Sequence, residues 1–152
     1  MSVLNWGKPL IEICQLENGE LPAEPVWEAL PEIADGTTQL TTEEGTKTEA
    51  IEEGGEVVDT RTAKNKYTLV LDLFVKKGDT KPIEDSDGRV VDNYAVRLTP
   101  EDDTCSGFIM EKTSVSVQET WTSADGGRWK YTFAGLKPKI GNILKPYTKS
   151  AS

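Results

Sequence analysis

The chain of 152 residues contains no histidine. This removes the commonest general base, the commonest metal ligand and the usual partner of a serine or cysteine nucleophile. Cysteine is nearly absent as well. Cys14 and Cys105 lie far apart in sequence and form neither a CxxC pair nor a ligand cluster. Two small buried or half-buried thiols are therefore expected rather than a disulfide. No apolar run approaches the ~20 residues of a membrane span. The stretch from Met1 to Pro9 has no basic region followed by an apolar one. The chain is accordingly expected to be made and kept in the cytoplasm, or released only with a larger assembly, and to have no membrane partner.

Positive charge is also scarce. Lysine and arginine number 17 against 26 carboxylates, a net charge of −9. Binding free nucleic acid takes a basic stripe, which this balance does not provide; the acidity instead keeps the chain soluble. The apolar fraction of 36% is low. One domain over 1–152 can still bury roughly 68–70% of its unfolded surface without disulfide or metal. A thin core with long exposed edges or loops is expected.

What is present reads as β structure. Leu10 to Leu16 is a short strand that starts after Pro9 and ends at the turn Asn18-Gly19. Pro22, Pro25 and Pro31 bar a long helix, leaving an irregular or edge segment around Val26-Trp27. Thr37 to Thr42 is rich in β-branched residues and predicts a strand. Residues 43–66 form the most polar stretch. Their paired glycines predict an extended hairpin or a mobile loop, with little to bury alone and an order that depends on a partner.

Tyr67 to Val75 has the clearest period of two, with Tyr67, Leu69, Leu71, Leu73 and Val75 on a core face. Thr80 to Ser86 is the single weak helical candidate, at most one turn. Asp87-Gly88 is a tight-turn signal. Val90 to Thr99 and Ser106 to Thr122 predict strands. The segment 113–134 reads as a hairpin, with Trp129, Tyr131 and Phe133 on one face. After Leu136 the chain becomes loop-like and its tail loose. Seven or eight antiparallel strands with at most one short helix imply a β-sandwich or a barrel.

Chemistry is hard to place on this frame. Carboxylate pairs can act without histidine, as in glycoside hydrolysis. Here most carboxylates stand beside Gly, Thr or Lys, and none lies in an apolar setting that would raise its pKa; they read as solvated surface groups. The run Glu84-Asp85-Ser86-Asp87-Gly88 resembles half of a calcium loop but lacks the spacing and the terminal glutamate, so it reads as a turn cap. Gly54-Gly55 and Gly126-Gly127 lack the Lys-Ser or Lys-Thr of a phosphate loop. Trp129 belongs to a core face. Trp121, before a turn, is a candidate for exposure, and Trp6 and Trp27 sit in irregular segments. Exposed tryptophan can mark a carbohydrate platform or a protein interface. No catalytic residue, cofactor or metal is expected, and the chain reads as a structural or binding protein.

Several stretches resemble the phage tail tube, or major tail, proteins found in prophages. They are the opening Gly7-Lys8-Pro9-Leu10-Ile11-Glu12-Ile13, the acidic Thr-rich run Thr37 to Lys47, and Glu52-Glu53-Gly54-Gly55-Glu56. Lys66 to Leu73, Tyr94 to Asp102 and the closing Tyr131 to Pro138 continue the likeness. The resemblance covers most of the chain in texture and order. It implies one helix beside the β-barrel or sandwich, with 80–86 as its place. It also implies hexameric rings stacked into a tube through which DNA passes without specific binding, other tail proteins as further partners, and a location in the bacterial host cytoplasm and then the virion tail. Residues 43–66 would order between subunits or rings, which makes Glu43, Glu44, Lys47, Glu52, Glu53, Val57, Val58 and Arg61 the candidate interface residues. The alternative is a β-sandwich module that binds carbohydrate or a host surface through Trp121 or Trp27.

Overall fold

The computed structural model describes residues 7–148 except 31, 32, 35, 79, 102, 103 and 140. Trp6, Pro31, Asp79, Asp102, Asp103 and the tail 149–152 lie outside the described residues. Ten strands follow in order: β1 Leu10–Gln15, β2 Glu28–Ala29, β3 Gln39–Glu43, β4 Lys47–Ile51, β5 Val57–Thr62, β6 Lys66–Phe74, β7 Tyr94–Thr99, β8 Gly107–Thr122, β9 Gly126–Gly135 and β10 Lys145–Tyr147. Eight of them make one antiparallel sheet in the order β2-β1-β7-β8-β9-β6-β3, with β10 also on β8; β4 and β5 pair separately. Because β2 and β3 end the path and do not meet, the fold is an open, sandwich-like all-β structure.

The core follows from alternation. On β6, Leu69, Leu71 and Leu73 are fully buried, and on β9 so are Tyr131 and Phe133, with Trp129 beside them. The pairs Leu69↔Phe133, Leu71↔Tyr131 and Leu73↔Trp129 put these side chains directly opposite one another. Ile11, Ile13, Val96, Met110, Val115 and Val117 complete the same cluster. A second cluster of Cys14, Leu16 and Ala95 lies on the other face of β1 and β7, under Leu21 and Trp27. Those two strands are thus covered on both sides.

β8, 16 residues long, pairs with three neighbours and changes face partway along. Met110 points inward, and so do Thr113, Val115 and Val117, a switch from even to odd positions. The switch coincides with a register shift opposite Tyr94 and Val96, a β-bulge that bends the strand. The buried Thr113 hydroxyl donates to the Tyr94 carbonyl at 2.6 Å. Below the bulge β8 pairs with β7 and β10, and above it with β9.

Arg97 fastens the outer layer. Its guanidinium makes two bonds to the Glu12 carboxylate, at 3.0 and 3.2 Å. The same group lies 4.3 Å from the Trp27 ring centroid and 5.0 Å from that of Tyr147. This holds the segment before β2 and the strand β10 against the β1–β7 layer.

The expected turn of helix at Thr80–Ser86 is absent, and no helix occurs among the described residues. Pro82 breaks the backbone pattern, and Ile83 turns into the core instead. The Tyr131 hydroxyl donates to the Ile83 carbonyl at 3.1 Å, and burial pushes that hydroxyl up to about 12. The Asp85 carboxylate accepts from Lys81 at 2.8 Å and from the Gly88 N–H at 2.7 Å, so the acidic run is a turn cap. Lys81 also reaches Glu119 on β8. Asp87 and Gly88 both have positive φ, as the tight turn between Ser86 and Arg89 requires.

The bonds from Lys81 and then Gly88 hold the Asp85 carboxyl below its ordinary range. A depressed pKa contributes stability above the unfolded value that is lost as pH falls through the folded one. The urea midpoint is therefore expected to drop below about pH 4. Asp85→Asn should be less stable at neutral pH and show a smaller acid drop. Equal acid slopes for the two proteins would contradict this role.

Three other expectations change. The strand expected from Val90 begins only at Tyr94, and Val91 is 84% exposed. Val75 lies past the end of β6 and is exposed. The stretch after Leu136, expected to be loop throughout, contains β10, whose Pro146 stands opposite Phe108. Proline is tolerated there because β10 is a short outer strand.

Candidate assembly surface

The polar stretch 43–66 is a hairpin that grows out of the main sheet. In the sheet, Gln39 stands opposite Val70 and Glu43 opposite Lys66. In the arm, Lys47 stands opposite Thr62 and Ala50 opposite Asp59. Each side of the junction contributes three residues, 44–46 and 63–65, so the register of β3–β6 continues unchanged into β4–β5. At ~3.3 Å per residue, the arm extends about 30 Å.

The junction is tight. The Gly45 N–H donates to Asn65 Oδ1 at 3.0 Å, and the Ala63 N–H donates to the Thr46 carbonyl at 2.9 Å. A Cβ on Gly45 would lie 1.9 Å from the Ala63 carbonyl oxygen. Gly45→Ala is thus expected to pry the base open. Limited proteolysis between 44 and 65 should speed up several-fold while the melting of the body stays unchanged. An unchanged cleavage rate would show that the base absorbs the clash.

At the far end the Glu52 N–H donates to the Glu56 carbonyl, and the Gly55 N–H to the Glu52 carbonyl. Gly54 and Gly55 both have positive φ and open space around them. The register shifts by one residue beside Ile51, which pairs with Val57.

Every residue of β4 and β5 is exposed. All eight sequence-predicted interface residues lie on the arm or at its root. Glu43 ends β3 opposite Lys66, Glu44 pairs with Lys47 at 3.6 Å, and Arg61 stands opposite Thr48. Glu52 and Glu53 form the turn, while Val57 and Val58 are 51% and 62% exposed. Ile51, at 59% exposed, joins them in an apolar tip that sequence reasoning missed. The available signal was its position just before the Glu-Glu-Gly-Gly turn, mirroring Val57 after it. Between Lys47 and Arg61 stand Glu49, Glu52, Glu53, Glu56 and Asp59, with no cation among them.

This arrangement offers surfaces for pairing. A lone two-stranded hairpin is at best marginally stable in water. Its outer edges present unpaired backbone groups, and its tip presents apolar side chains.

A cleft of about 410 Å³ lies elsewhere, beside Cys14 and Tyr94, with Glu17, Glu24 and Glu28 in its lining. Burial pushes both the Cys14 thiol and the Tyr94 hydroxyl up. Both cysteines are free. No group of three or more metal-ligating side chains occurs among the described residues, and no described helix is long and apolar enough to cross a membrane.

Trp27 is covered by Arg97, whereas Trp121 is 74% exposed, near Gly127 and Val75. In comparisons with known proteins, no family model matches the chain and no curated protein matches its sequence.

Proposed function

We propose that the chain is a structural subunit that assembles with copies of itself, of the kind that stacks as hexameric rings into a phage tail tube. The observation that carries this reading is the arm, a fully exposed hairpin in register with the main sheet and tipped by Ile51, Val57 and Val58. Open edges at β2 and β3 add pairing surfaces of the kind that strand addition uses. Under this reading the net charge has a use. Six copies carry six times −9, or −54, and any share of it facing a bore repels DNA phosphates, so that DNA slides rather than binds. The reading assigns no cofactor and no catalytic residue. Electron microscopy of the concentrated protein tests it: rings or tubes are expected, and particles that remain single at every concentration would refute it.

Trp121 favours a second reading, a module that binds carbohydrate or a host surface through its exposed ring. A glycan array separates the two, since a tube subunit gives no Trp121-dependent binding.

A further inference from the structure

We propose that the acidic, apolar tip of the arm docks on the lysine-rich C-terminal segment of a second copy of the chain. This rests on the self-assembly reading and names the surface that receives the arm.

Charge is divided unevenly along the sequence. Residues 49–59 hold five carboxylates and no cation, while residues 136–148 hold Lys137, Lys139 and Lys145 and no side-chain carboxylate. On a chain of net charge −9, that cationic segment is the natural electrostatic partner of the tip.

Leu136 and residues 145–147 of this segment are also held in place. The Leu136 N–H donates to the Lys112 carbonyl at 2.9 Å, and β10 pairs with β8. Lys145 is engaged by Glu111, and Tyr147 packs on Arg97. Its near end presents exposed Leu136, Lys137 and Lys139. Lys139 meets Glu20 at 3.3 Å, but both side chains are more than half exposed, so that pair exchanges readily. Leu136 gives the apolar tip an apolar contact beside the lysines.

The occupant is another copy because the arm points away from its own body. Its register runs straight out of the β3–β6 edge, and none of its strand residues is buried. A contact between two different patches is heterologous, and such contacts build rings or open stacks.

Charge reversal tests this on the full-length chain. One variant carries Glu52→Lys, Glu53→Lys and Glu56→Lys; the other carries Lys137→Glu and Lys139→Glu. Sedimentation velocity of each alone is expected to show self-association weakened about tenfold or more, with unchanged thermal melting. Mixed one to one, they should co-assemble, because each tip then meets a platform of opposite sign. If both variants associate like the parent, or if the mixture fails to recover, the platform is wrong, while the assembly reading survives as long as the parent associates. A parent that stays monomeric removes both.

Discussion

Replacing Ile51, Val57 and Val58 together with serine is expected to abolish self-association while leaving the melting temperature within about 2 °C of the parent. The three side chains are 59%, 51% and 62% exposed in the single chain, so its fold gains little from them. Surface changes of this kind stay within ~0.5 kcal/mol of neutral. In the proposed assembly the same side chains would become buried, and full burial of one Val or Ile is worth about 1.5–3 kcal/mol. Even partial burial of three moves a dissociation constant by at least ~100-fold. Sedimentation velocity and a thermal melt together check this. Undiminished association would place the interface elsewhere.

Phe133→Ala should do the reverse to the fold. Phe133 is fully buried, faces Leu69 on β6 and Val115 on β8, and stacks with Tyr131 at 6.4 Å between centroids. Truncating a buried aromatic costs ~3–5 kcal/mol. For a domain that unfolds at about 5–15 kcal/mol this is a large fraction of its stability. A fall in melting temperature of about 10 °C or more is expected in calorimetry. A fall of only a degree or two would mean that the β6–β9–β8 layer is not where stability resides. The two variants together separate the arm, here proposed to bear on assembly, from the core, which bears on stability.

The parts legible in the sequence were those fixed by local rules. Period-two alternation marked β6 and β9, and the Asp-Gly-Gly run marked the hairpin that joins β8 to β9. Asp87-Gly88 marked its turn. What escaped depended on distant partners. Ile83 abandons helix for a core slot made by Tyr131, 48 residues away. Arg97 is held by Glu12, Trp27 and Tyr147, which no local pattern brings together. The bulge on β8 shows only when Tyr94 and Val96 are laid against Thr113 and Met110. β2 and β10 are too short to carry a period of their own.

The arm was half legible. Composition pointed to a hairpin or a loop, and its glycines to the turn. Its continuity with the main sheet emerges only from the pairing of β3 with β6. The apolar tip was missed in part because Ile51 sits alone among glutamates, and only pairing with Val57 makes it a patch.

The most direct test of arm-mediated assembly is hydrogen exchange of residues 44–62 in the full chain, followed as protein concentration rises. A two-stranded hairpin in solvent protects its amides poorly, whereas one buried between copies protects them well. Exchange in the arm is expected to slow progressively with concentration, while β6 and β9 stay protected throughout. Arm amides already protected in the dilute monomer, or still unprotected when the chain is concentrated, would contradict the account.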